Sequence, residues 1–201
     1  MQQSGKPIVI VADKRIQRNG PEHQRLIEAC SKGDQKAQFE IYRRYHAAMY
    51  NTTLRIVGDP DDAEDVMQEA FLKAFTRIKT YRGEVRFGAW LKKIVINQAL
   101  DFLRMRKDHI PLEEVGEPED LRGETEDEAG EQEMRLEVEA IRKAISALPE
   151  GYRIVLSLIL LEGYDHEEVS TILKISNATS RTQYHRAKKK LLELLRKEKK
   201  I

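Results

Sequence analysis

Cysteine occurs once in the 201 residues, as Cys30, which excludes an internal disulfide and any cysteine-based zinc site. Aromatic residues make up only 6% of the chain and charged residues 34%, a poor composition for one large core. Two compact helical modules joined by a linker fit it better. No apolar run approaches the roughly 20 residues that cross a bilayer. Near the start, Ile8–Ala12 is too short to serve as a signal peptide. The expected compartment is therefore the cytoplasm, without membrane insertion. Apart from a short β-like run, Ile8–Val11, strand signals are missing, so the expected fold class is all-α.

The formal net charge of +1 hides a strong division along the chain. Between Arg82 and Lys107 there are seven basic residues against Glu84 and Asp101. Between Asp108 and Glu133 there are twelve acids against Arg122 alone, and from Lys174 onward ten Lys or Arg face Glu193 and Glu198. Two basic blocks around an acidic one describe a binder of polyanions at two sites with a solvated spacer.

Helical periodicity then sets the organisation. Residues 1–21, which end in Asn19-Gly20-Pro21, read as an N-terminal tail, with an adaptor strand at Ile8–Val11 as the alternative. A helix over about Glu22–Ser31 stops at Gly33, and Asp34 caps a second that ends at Gly58. Asp59-Pro60 opens a third, with Asp as N-cap and Pro in the first turn. Its apolar positions Ala63, Val66, Met67, Ala70, Phe71, Ala74, Phe75 and Ile78 keep one face. After a loop at Tyr81-Arg82-Gly83, a fourth helix runs from about Phe87 to Arg106 and buries Trp90, Leu91, Ile94, Val95 and Leu103. The acidic segment 108–133, broken by Pro111, Gly116, Pro118 and Gly123, reads as a flexible linker. The second module, 134–201, begins with a helix over Arg135–Ala147, and Pro149 opens another that ends at Gly163. Asp165 and Glu168 have capping-box spacing before a short helix, His166–Leu173. A turn at Lys174-Ile175-Ser176 leads to a long basic helix, which makes the last two helices a helix-turn-helix.

Three constellations carry chemistry. Asp62, Asp65 and Glu69 line one face of the third helix, with Glu64 and Gln68 beside them. That face is either simply solvated or a dock for a basic protein surface; a metal site lacks His and facing carboxylates. The fourth helix interleaves Lys92, Lys93, Arg104 and Arg106 with Trp90, and Tyr81 precedes it. This is the pattern that holds single-stranded nucleic acid by charge and stacking. Trp90 also reads as a core residue. Asn97 must satisfy its amide on a backbone group or on the edge of an unstacked base. On the last helix Ser180, Arg181, Thr182, His185, Arg186 and Lys189 recur at helical spacing, where recognition helices meet base edges. Lys188, Lys189 and Lys190 suit phosphates.

These residues resemble a known family. Asp62-Ala63-Glu64-Asp65-Val66-Met67-Gln68-Glu69-Ala70-Phe71 is similar to region 2.2 of the sigma-70 family. Tyr81-Arg82-Gly83, Phe87-Gly88-Ala89-Trp90-Leu91 and Ile96-Asn97 resemble regions 2.3 and 2.4. Leu148-Pro149-Glu150-Gly151-Tyr152-Arg153, Glu162-Gly163-Tyr164 and Thr179 through Lys190 resemble region 4. With no region 3 between them, the likeness is to extracytoplasmic-function (ECF) sigma factors, over about 22–107 and 134–197. It implies a transcription initiation factor, not an enzyme, with neither cofactor nor metal. Residues 22–107 would be region 2 and 134–201 region 4. Asp62, Asp65, Gln68, Glu69 and Phe71 would dock on the β′ clamp helices of core RNA polymerase. Tyr81 and Asn97 would line the pocket for a flipped minus-ten base, with Arg82, Trp90, Lys93 and Arg104 along the melted promoter strand. Ser180, Arg181, Thr182, His185, Arg186 and Lys189 would read the duplex minus-thirty-five element, and region 4 would also touch the β flap. The linker would thread toward the RNA exit path. An anti-sigma factor or another recruiting partner is left open.

The chain departs from many relatives at Asn177-Ala178, where Glu-Gly is common, and at Tyr81, which keeps the ring of a common Phe and adds a hydroxyl. Its first twenty residues have no counterpart in the shortest relatives. A rival reading, a helix-turn-helix regulator that acts without core polymerase, explains the last third but neither the acidic stripe nor the basic-aromatic helix. A metal-dependent nuclease using Asp61, Asp62, Asp65 and Glu69 lacks converging ligands.

Overall fold

The computed structural model describes residues 20–109 and 129–198. The expected tail and most of the expected linker lie outside these residues. Among the described residues eight α-helices appear in order: α1 (Pro21–Ser31), α2 (Gln35–Val57), α3 (Pro60–Arg77), α4 (Phe87–His109), α5 (Ala129–Ser146), α6 (Glu150–Leu156), α7 (His166–Leu173) and α8 (Asn177–Glu198). A single 3₁₀ turn, Ile78–Thr80, follows α3, and a π turn, Ser157–Leu161, extends α6. Among the described residues there is no strand.

The helix starts follow from their caps. The Asp34 carboxylate accepts the amides of Lys36 and Ala37 at 2.8 and 3.2 Å. Asp59 accepts Asp61 and Asp62 N–H, both at 3.0 Å. Asp165 accepts Glu167 and Glu168 N–H while Glu168 returns a bond to the Asp165 amide, which completes the expected capping box. Helix α5 begins at Ala129, ahead of the expected Arg135. Glu131, Gln132 and Glu133 are good helix formers, and acids near a helix start suit its dipole.

Three clusters form the interior. In the first half, α1 to α4 close around Ile41, Met67, Phe71, Phe87, Leu91 and Val95. In the second, Ile145 and Leu148 at the α5 end pack on Leu156 and Ala187. Between them lies a third cluster shared by both halves. Ile56, Val57, Val66, Ile96, Ala99, Leu100 and Leu103 come from α2, α3 and α4, and Ile154, Val155, Leu158 and Val169 from α6, its π turn and α7. Val155, Leu158 and Val169 are fully buried. Each such side chain contributes about 1.5–3 kcal/mol relative to exposure, so the joint between the halves is itself a core. Cys30 is buried, and burial pushes its thiol up to about 11, which leaves it unreactive at neutral pH.

The joint is sealed at the end of α2. Gly58 has φ +92° and its amide bonds Leu54 O at 2.8 Å, the left-handed C-cap that glycine favours. Arg153 of α6 then lays its guanidinium over the last turn: Nε donates to Arg55 O at 3.0 Å, and Nη2 to Ile56 O and Val57 O at 3.3 and 3.2 Å. These are carbonyls that a helix end leaves without intrahelical partners. A Cβ on Gly58 would stand 2.9 Å from Arg153 Cζ. Gly58→Ala should therefore lower stability by about 1–3 kcal/mol in urea unfolding, combining backbone strain with displacement of Arg153.

Candidate nucleic-acid interface

The acidic stripe of α3 divides into paired and unpaired members. Asp62 forms an ion pair with Arg106 of α4 at 3.2 Å, and Glu69 accepts Gln98 Nε2 at 2.8 Å. Gln68 bonds Glu64 on its own helix at 3.1 Å. Asp65, Gln68 and Glu69 are exposed. Phe71 is a correction to the expected docking set. It is 2% exposed and sits with Tyr42, ring centroids 4.9 Å apart. It belongs to the same apolar stripe as Met67 and Ala74, which faces inward.

Tyr81, Phe87 and Trp90 form a ring cluster at the start of α4. Tyr81 meets Phe87 edge-on at 5.3 Å and Trp90 at 5.5 Å, geometry that favours aromatic pairs. The hydroxyl that distinguishes Tyr81 from Phe donates to Val85 O at 2.7 Å, closing the loop that carries Arg82 on its exposed surface. Trp90 is half-buried, so one face of the ring supports the core cluster. Lys93 and Asn97 are exposed on α4, which places the Asn97 amide in solvent rather than on an inward face. Arg104 is exposed, pairs with Asp101 at 2.8 Å and reaches Ile172 O of α7 at 3.3 Å.

On α8 the expected reading face is open. Arg181, Thr182, His185, Arg186 and Lys189 are exposed. Asn177, one of the departures, holds Arg181: its Oδ1 accepts Arg181 Nε at 2.8 Å. Thr182 donates to Ala178 O at 2.9 Å, and Lys188 lies 5.6 Å from the Tyr184 ring centroid. Ser180 is the second correction. It is fully buried, with its hydroxyl 3.0 Å from His166 Nδ1 of α7, because it lies on the side of α8 that closes the helix-turn-helix. The turn itself carries Lys174 at φ +56°.

One group of residues stands outside the constellations expected from the sequence. Glu162, just after the π turn, has a side chain only 4% exposed. It forms ion pairs with Arg55 of α2 and with Lys92 of α4, the latter at 2.8 Å. The Thr52 hydroxyl stands 3.0 Å from the same carboxylate. Burial pushes the Glu162 carboxyl up, but the hydrogen bonds and charges of Lys92 and Arg55 outweigh it and hold it below the ordinary carboxylate range. The available signal was an acid at the end of the apolar run Ile154–Leu161, where a charge has to find a partner. Among the described residues, no group of three or more His, Cys, Asp or Glu side chains is placed to hold a metal ion, and no helix is long and apolar enough to cross a membrane.

The depressed Glu162 carboxyl fixes the sign of a pH effect. Its stabilisation of the joint is fully present above the unfolded carboxylate value of about 4.3 and is lost as pH falls through the lower native value. Small-angle scattering should show the chain expanding on acidification below about pH 4. Glu162→Gln, which has no carboxylate to titrate at this position, should lose the component of that expansion due to the joint.

Comparison with known proteins agrees with this geometry. The sigma-70 region 2 model matches residues 41–109, and the sigma-70 region 4 model matches 138–191. The chain is 33% identical over 172 residues to the RNA polymerase sigma-H factor of Pseudomonas aeruginosa, covering 82% of this chain and 89% of that protein. It is 31% identical over 177 residues to the ECF RNA polymerase sigma factor SigW of Bacillus subtilis, covering 85% and 95%. In fold it is similar to the sigma factor RpoE solved in complex with the anti-sigma factor NepR from Bartonella quintana. There the TM-score is 0.52 with 21% identity, covering 78% of this chain and 95% of that one. With region 2 and region 4 both matched in order, and relatives above 30% identity matched over most of their length, the chain belongs to the sigma-70 family as an ECF RNA polymerase sigma factor.

Proposed function

We propose that this sigma factor binds core RNA polymerase through the acidic face of α3, melts the promoter along α4 and reads the upstream duplex with α8. The observation that carries this reading is the separation of exposed faces. Asp65, Gln68 and Glu69 lie outward on α3, while Arg181, Thr182, His185, Arg186 and Lys189 lie outward on α8. Asp65 and its neighbours suit the clamp helices of the β′ subunit, and region 4 suits the β flap. Tyr81 and Asn97 suit a flipped base, with Arg82, Lys93, Arg104 and the open face of Trp90 along the strand. Phe71 and Ser180 have no part in these contacts. The factor acts by binding rather than by catalysis, in the cytoplasm, where polymerase and chromosome are. A solved structural neighbour is bound to an anti-sigma factor, which supports a similar partner here.

Promoter geometry demands that the halves part. The minus-ten and minus-thirty-five elements lie about 25 base pairs apart, roughly 85 Å at a rise of 3.4 Å. Here α4 and α7 touch through Arg104 and Ile172, and α8, with 22 residues, extends only about 33 Å. The packed arrangement therefore belongs to the factor before it engages both elements.

The direct test mixes the purified chain with core polymerase and a library of promoter fragments and looks for run-off transcripts. Transcripts that require the chain support the reading. Absence of core binding at low salt sinks it, and DNA binding that needs no core favours a helix-turn-helix regulator instead. Asp65→Arg should weaken core binding while leaving the melting temperature unchanged; full retention counts against the docking role. Arg186→Ala should weaken upstream-element binding by about 1–3 kcal/mol if it reads a guanine, as measured by anisotropy on duplex promoter fragments.

A further inference from the structure

We propose that Thr52, Arg55 and Lys92 form a phosphate site for the melted promoter strand, which the Glu162 carboxylate occupies while the halves are closed. The inference rests on the function proposed above and adds a site and a competitor to it.

The cradle is assembled from two helices of the first half. Lys92 comes from α4, next to exposed Lys93 on the helix proposed to carry the strand. Arg55 and Thr52 come from the last turns of α2, and Arg55 Nη2 stands 3.4 Å from Thr52 Oγ1. Two cations and a hydroxyl converging on one point bind an anionic oxygen cluster, whether carboxylate or phosphate. In the closed chain that anion is supplied from the second half by Glu162, whose side chain is 4% exposed and meets all three groups.

The carboxylate does not use the cradle fully. Arg55 Nε is buried and has no hydrogen-bond partner among the described residues. A guanidinium presents its donors as a fork suited to two oxygens at once, yet here Glu162 meets the Nη2 arm. A buried donor left unmade is a cost carried by the closed state. A phosphate, with more acceptor oxygens in a tetrahedral arrangement, can meet the fork and the ammonium together. The same closure also ties Arg104 to Ile172 O, so two basic residues of α4 are engaged by the second half. The reading face of α8 stays exposed. The closed chain thus leaves duplex reading open and weakens strand binding by engaging two of the cations of α4.

Removal of the competitor tests this in the full chain. The probe is a labelled twelve-nucleotide oligodeoxythymidine, followed by fluorescence anisotropy across a salt series. Glu162→Gln should bind it about three- to tenfold more tightly at low salt. Its log K against log salt should be steeper by about 0.7 for each phosphate gained. Adding Lys92→Ala should cancel the gain. Glu167→Gln makes the same charge change at an exposed position of α7 and should leave affinity unchanged. Arg153→Gln loosens the joint at the Arg55, Ile56 and Val57 carbonyls while leaving the Thr52, Arg55 and Lys92 side chains unaltered, so it should also raise affinity, even if Glu162→Gln folds poorly. An unchanged affinity in both opened variants overturns the proposal, as does a gain that survives Lys92→Ala. Core-polymerase binding by the wild-type chain is measured alongside. If it is present while the oligonucleotide results are flat, only the cradle fails; if it is absent, the assigned function fails first.

Discussion

The arrangement depends on how two helical halves, each with its own small core, come to share a third. The apolar part is broad: Val155, Leu158 and Val169 of the second half are completely buried against Ile96, Ala99 and Leu100 of the first. Burial of this kind favours contact without fixing its orientation. Orientation comes from two charged contacts. Arg153 meets three consecutive carbonyls at the end of α2, and Glu162 meets Arg55 and Lys92. Buried charges held in this way bring modest net stability but strongly penalise misaligned states, because displacement leaves a charge without its partners. The joint is therefore directional and separable.

That combination suits a factor with a closed form and an extended one. The apolar patch stabilises the compact form in isolation. The charged contacts place the joint under the influence of other anions and of pH, since each has an alternative partner in water or on nucleic acid. The surfaces left outside are informative for the same reason. The acidic face of α3 and the basic face of α8 are turned to solvent, while Lys92 and Arg104 of α4 are engaged across the joint.

Much of this was legible in the sequence where the cause is local. The aspartate caps at residues 34, 59 and 165 marked helix starts correctly because capping involves residues two or three positions away. The helix-turn-helix and the sign of each charged block followed from spacing and composition. The family was legible as well, and the matches to region 2 and region 4 agree with it. The joint was not legible, because its partners lie about a hundred positions apart, as Thr52 and Glu162 do. A helical period shows that α4 has an apolar side but not that the stripe running on through Ala99, Leu100 and Leu103 serves a second body. Phe71 and Ser180 went astray for a related reason. A contact set carried over by motif includes residues that support the surface from within, and only packing separates them from those on it.

Under the proposed function the free factor is closed, and engagement of polymerase and promoter opens it. The most direct measurement is the distance between spin labels at His46 of α2 and Glu193 of α8, both exposed, by pulsed dipolar spectroscopy in a Cys30→Ser background. The free chain should give one short, narrow distribution that shifts to longer distances, by tens of ångströms, once the chain is bound to core polymerase and promoter DNA. A free chain already as extended as the bound one, or a short distance that persists in the complex, would rule out this closed-to-open change.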